Sequence, residues 1–234
     1  MVNKMNDVNY SAKMLNDELI NRSHIRNALV LLRKKFQISG MSILELGSGL
    51  GFNLKIFSKD NSVLGYEGLS DAAALAVIDG IPTEVVNLEN EFPCEDSTYD
   101  VVLALDVLEH LVSPENSISE SYRALRQKGI LIVYVPNHFS LIGRVRILLG
   151  STVDTFKFFP NHELWNYPHL RFFNHASIIK MIELAGFKLE IDMSEINFQP
   201  KFLFKIFGRK FTMIMVKHFP NLFAGGYFIV FKKY

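Results

Sequence analysis

At 234 residues, with 49% hydrophobic and 21% charged side chains, the chain is expected to fold as one globular domain, which excludes a disordered or fibrous protein. Its one cysteine, Cys94, excludes a disulfide framework or a cysteine-rich zinc cluster, and a polar start with no run of ~20 apolar residues leads to a cytoplasmic expectation. The net charge is +1, yet no acid follows Glu195 while Lys201, Lys205, Arg209, Lys210, Lys217, Lys232 and Lys233 do, so no nucleic-acid face is expected and any anionic surface would meet the carboxyl end.

In chain order, helix-like and strand-like segments alternate as a mostly parallel sheet requires. The stripe Ile25, Ala28, Leu29, Leu32 and Phe36 predicts a helix inside an N-terminal helical segment over 1–40. A strand follows at Ser42–Leu46, then a helix from about Gly51 to Ser58, a strand at Ser62–Glu67 and a helix at Ser70–Ile78. Strands are expected at Thr83–Leu88 and at Tyr99–Leu105, the second almost wholly apolar and so buried on both faces. Ser113 as N-cap with Pro114 at the first helical position opens a helix to Arg126. Ile130–Val135, ended by Pro136, is the next strand; Asn174 caps a helix that stops at Gly186, and Phe187–Ile191 and Gly226–Phe231 complete the set.

The stretch Ile43 to Phe52 carries the most chemistry. A buried strand runs into glycines at alternate positions, Gly47, Gly49 and Gly51, where missing Cβ atoms let a ligand approach backbone and a helix start would offer unpaired N–H groups. A dinucleotide-binding turn has its third glycine three residues after the second; here that position is Phe52, which points away from pyrophosphate. Glu67 ends the second strand eighteen residues after Gly49, near the ~20 expected of a carboxylate that accepts from a ribose diol.

Glu45-Leu-Gly-Ser-Gly-Leu-Gly51, the acidic strand end at Glu67, the run Tyr99 to Leu111 with Asp106-Val-Leu-Glu-His110, Leu125 to Asn137, and Ile182-Glu-Leu-Ala-Gly-Phe187 together resemble a class I S-adenosylmethionine-dependent methyltransferase over roughly residues 40–190. The resemblance implies a Rossmann-like α/β fold with a seven-stranded, mostly parallel sheet and helices on both faces, the cofactor-binding half lying at 41–136. It further implies that S-adenosyl-L-methionine is held by Glu45, Gly47, Ser48, Gly49, Gly51 and Glu67, with Glu45 helping to hold the ammonium group. Asn87 and Leu88 stand where the family usually has an acid facing the adenine amino group, and an Asn oxygen can accept from that group or simply form a turn. Leu105 and Asp106 would border the methionine portion and the reacting methyl. A Pro-Asn after the fifth strand and a His-Leu-Arg-Phe-Phe segment at His169–Phe173 resemble a bacterial small-molecule or glycan branch, implying O-methylation of a glycan or lipid-linked intermediate.

The segment 137–173 has no sheet role and is expected to build an acceptor lid. It contains His138, His162, Trp165, Tyr167, His169 and Arg171, rings suited to a sugar or a planar acceptor. His138 is the first candidate for a general base and His169 the second. Glu109 and His110 read as packing groups beneath the site, and Cys94 as a loop cysteine. No metal is expected, since the histidines lack compact ligand spacing along the chain. The basic and aromatic stretch at 197–224, interrupted by Gly208, is an insertion that serves as lid or packing, or else, over 201–217, touches anionic lipid at the inner membrane face. Two rival classes share parts of the pattern: a non-catalytic S-adenosylmethionine-binding partner and a nicotinamide-dependent reductase.

Overall fold

The computed structural model describes residues 22–153 and 169–234. Seven strands, β1 Ser42–Leu46, β2 Ser62–Glu67, β3 Thr83–Val85, β4 Tyr99–Leu105, β5 Leu125–Pro136, β6 Phe187–Asp192 and β7 Gly226–Lys233, form one sheet in the order β3-β2-β1-β4-β5-β7-β6. The pairs from β3 through β5 are parallel; β7 runs antiparallel to both β5 and β6. Side chains alternate across the pleat, so that Ile43, Val101, Leu103, Ile132 and Val230 enter one core while Leu44, Val102, Ala104, Val133 and Phe231 enter the other.

Helices cover both faces. On the first, α1 Ser23–Lys35 lays down Ile25, Ala28, Leu29 and Leu32, all buried, and each of its three large aliphatic side chains contributes about 1.5–3 kcal/mol by leaving water. Ala76 of α2 Ser70–Ile78 joins the same core. On the second face, Ile118 and Ala124 of α3 Pro114–Ala124 meet Ile178 and Ile182 of α5 His175–Leu184. A further helix, α4 Leu141–Leu148, follows β5 and buries none of its residues.

The insertion between β6 and β7 carries α6 Lys201–His218 and α7 Pro220–Phe223. Its base is tied like a hairpin: Gly225 N–H donates to the Asn197 carbonyl at 2.6 Å, Gln199 N–H to the Phe223 carbonyl at 2.7 Å, and Phe198 pairs antiparallel with Ala224. Such a closure returns the chain beside the strand it left, which is why β7 is antiparallel. Gly208, at φ 74° and ψ 178°, leaves the helical region inside α6, so the row expected through Lys201, Lys205 and Arg209 does not run on one continuous helix.

Several boundaries differ from the sequence expectation. The helix expected over 51–58 is one 3-10 turn, Leu54–Ile56; Gly51, at φ 74°, lies outside the helical region and cannot begin it. The third strand stops at Val85 instead of Leu88; Val86 N–H still donates to the Glu67 carbonyl at 3.0 Å, after which Asn87 turns the chain. α3 ends at Ala124 rather than Arg126, and its start is held not by the Ser113 side chain but by Glu89, whose Oε2 accepts from Ser113 N–H at 3.0 Å. Asn174 does cap α5, in a reciprocal capping box with Ser177.

Candidate active site

Strand order reverses between β1 and β4, and the carboxyl ends of β1, β2, β4 and β5 share one edge of the sheet, where an open α/β fold places its ligand. The glycine turn lies there, with φ of 63°, 52° and 74° at Gly47, Gly49 and Gly51. A Cβ on Gly47 would stand 2.7 Å from Val107 Cγ2, and one on Gly51 2.8 Å from Ile81 Cγ2. Gly47→Ala is therefore expected to cost about 2–4 kcal/mol in left-handed strain and overpacking, measurable as a lowered melting temperature together with weaker cofactor binding by calorimetry.

Glu67 is almost wholly buried and acts as a clamp: Oε2 accepts from Gly49 N–H at 2.7 Å and Oε1 from Leu69 N–H at 2.9 Å. Each oxygen has a second lone pair to offer a ligand. Glu45, 1% exposed, accepts from Asn53 Nδ2 at 2.8 Å through Oε1. Asp106 follows β4 at φ 51°, and its carboxylate pairs with Arg22 Nε at 3.3 Å. Neither Asn53 nor Arg22 carries a sequence signal of this part, one being set in a turn and the other at the entrance to α1. Asp106 N–H donates to the Tyr134 carbonyl at 2.9 Å. The Tyr134 hydroxyl, pushed well above its ordinary pKa by burial and by the Asp106 charge, accepts from Asn197 Nδ2 at 2.9 Å.

The other expected cofactor residues are placed differently from one another. Ser48 is buried with its Oγ toward β2, at the spot a Cβ on Gly65 would need, and Oγ has no hydrogen-bond partner among the described residues. Leu88 and Leu105 are buried. Asn87 is exposed and its Oδ1 accepts from Glu89 N–H at 3.0 Å, the turn-forming use of an asparagine. Cys94 sits beside Tyr66 and Arg123, and burial pushes its thiol up, as expected of an unreactive loop cysteine.

Beyond β5, Asn137 anchors the chain by donating Nδ2 to the Ala224 carbonyl at 2.7 Å and accepting from Phe139 N–H at 3.0 Å. The two candidate bases meet: His138 Nε2 and His169 Nδ1 are 3.0 Å apart, and the Phe172 ring stands edge-on to His138 at 4.9 Å. His138 also lines a cleft of about 490 Å³ with Asn137, Arg146, Thr152, Asn197 and Gln199, a volume within the usual range for small-molecule sites. His110 packs against His169, ring centroids 4.7 Å apart. His162, Trp165 and Tyr167 lie outside the described residues. His175 pairs with Asp192 at 2.7 Å.

A family model described as a methyltransferase domain matches residues 19–190. A protein of Mycolicibacterium smegmatis named as a probable S-adenosylmethionine-dependent methyltransferase is 29% identical over 168 residues, 70% of this chain and 59% of that protein. The matched region spans 40–63% of the length of the first four curated relatives. Among solved structures, an S-adenosylmethionine-dependent methyltransferase from Archaeoglobus fulgidus superposes with a TM-score of 0.63 at 14% identity, covering 95% of this chain and all of that one. The [4+2]-cyclase SpnF superposes with a TM-score of 0.61 at 15% identity, covering 89% and 80%, so the fold alone does not dictate the reaction.

The residues present suit the family's cofactor. Glu45, Glu67 and Asp106 bring three carboxylates to neighbouring strand ends around a turn that lacks Cβ atoms at Gly47, Gly49 and Gly51, which matches a ligand bearing a sulfonium, an ammonium and a ribose diol and would repel a pyrophosphate. The chain belongs to the class I S-adenosylmethionine-dependent methyltransferase family, and its cofactor is S-adenosyl-L-methionine.

Proposed function

We propose that the protein methylates a hydroxyl oxygen of a small-molecule acceptor, a glycan or lipid-linked biosynthetic intermediate held in the cleft beside β5. The observation that carries this reading is the His138–His169 contact of 3.0 Å at the wall of that cleft. When bound, S-adenosylmethionine supplies an electrophilic methyl group, so the chain's task is to align the acceptor, exclude water and remove one proton. His138 takes the hydroxyl proton while His169 orients its ring; Arg146 and Gln199 offer hydrogen bonds to acceptor oxygens. Acceptor screening for release of the demethylated cofactor tests this. Transfer to a glycan or lipid-linked hydroxyl supports it, whereas tight cofactor binding without turnover on any acceptor would favour the non-catalytic partner.

A lipid-linked acceptor also accounts for an exposed surface. α4 and α6 both pack on α7, and Leu148, Leu149, Phe202, Ile206 and Ile214 stand exposed, as do Lys201 and Lys205. An apolar surface with basic neighbours suits the interface of an anionic bilayer, where each cation adds about 1 kcal/mol that salt screens. Wild-type protein is expected to sediment with phosphatidylglycerol vesicles at low salt, to be released at high salt and to ignore phosphatidylcholine. Gln at Lys201, Lys205 and Arg209 together should abolish sedimentation and spare cofactor binding; wild-type protein that stays in the supernatant at low salt refutes the contact. No helix among the described residues is long and apolar enough to cross a membrane.

A further inference from the structure

The expectation of no metal rests on spacing along the chain, and the fold brings distant residues to one point. Glu109 and His110 lie in a 3-10 turn, Leu108–His110, just past β4. His169 comes from the far end of the 137–173 segment. One ligand atom from each of Glu109, His110 and His169 lies within 4.8 Å of the other two. The arrangement is held by backbone: the Glu109 carbonyl accepts from both Leu170 N–H at 2.7 Å and Arg171 N–H at 3.0 Å, and the Arg171 guanidinium donates to the Val112 carbonyl. His169 is thereby fastened beside the turn that carries the other two groups.

We propose that Glu109, His110 and His169 bind a divalent first-row transition metal ion. Two imidazoles and a carboxylate form a three-ligand set that leaves coordination positions open, and imidazole favours zinc, iron or nickel over magnesium, calcium or manganese, which take oxygen ligands. Glu109 is only 1% exposed, so an ion on its carboxylate is held away from bulk water, where its attraction to the carboxylate is screened less. Cation binding stands on the donor set alone. Its role, drawing an acceptor hydroxyl toward the metal and lowering the cost of removing its proton, rests on the O-methylation reading.

The test uses the full chain, stripped with a chelator and then titrated with cobalt(II) or zinc(II). Saturable binding of one ion per chain is expected, with visible d–d absorption for cobalt. Glu109→Gln and His169→Gln should each weaken it at least about tenfold, while circular dichroism and calorimetric binding of S-adenosylmethionine stay as in the wild type. His169→Gln, at a half-buried position outside any helix or strand, decides the matter should Glu109→Gln fail to fold. No saturable binding by the wild type, or binding that survives His169→Gln, overturns the site. Cobalt binding with no methyl transfer to any hydroxyl acceptor would keep the metal site and remove the O-methylation reading, so the two fail separately.

Discussion

Alanine at His138 is expected to lower turnover by about 10²–10⁴-fold, the usual worth of a positioned general base, with cofactor affinity nearly unchanged. The separation follows from position. His138 sits past the end of β5 and lines the cleft proposed for the acceptor, whereas the glycine turn and Glu67 belong to β1 and β2. Single-turnover rates at saturating cofactor, beside calorimetric affinity, give the two quantities independently. A normal rate in a folded His138→Ala protein moves the role to His169 or to no base at all. A comparable loss of cofactor affinity would show instead that the substitution has disturbed the whole edge of the sheet.

Glu67→Ala should weaken S-adenosylmethionine by about 1.5–3 kcal/mol, roughly 10- to 150-fold in Kd. Two losses would combine if Glu67 accepts from the ribose diol: that acceptor, and the carboxylate that holds Gly49 N–H at 2.7 Å and Leu69 N–H at 2.9 Å. Glu67→Gln separates them in part, since it keeps one oxygen but turns an NH2 toward one of those two amides, and it should fall between wild type and alanine. The demethylated cofactor should follow the same order, and NAD should bind much more weakly than either. Unchanged affinity in folded Glu67→Ala would take the residue out of the site.

Elements with a local cause were legible in the chain before it folded. The apolar runs of Ser42–Leu46, Ser62–Glu67 and Tyr99–Leu105 are a property of consecutive side chains, and so is the helical stripe through Ile25, Ala28, Leu29 and Leu32. The glycine turn was legible for the same reason, because its positive φ values need residues without Cβ at Gly47, Gly49 and Gly51. Whatever depends on residues far apart along the chain was settled only on folding. Glu89 holds the start of α3 across 24 positions, Arg22 meets Asp106, and the closure of Asn197 on Gly225 sets the direction of β7. His169 illustrates the difference most directly. Its neighbours in sequence mark it only as part of a lid, but backbone hydrogen bonds from Leu170 and Arg171 to the Glu109 carbonyl bring it beside Glu109, His110 and His138, and side chains from separate segments acquire shared chemistry only when the backbone holds them within bonding distance.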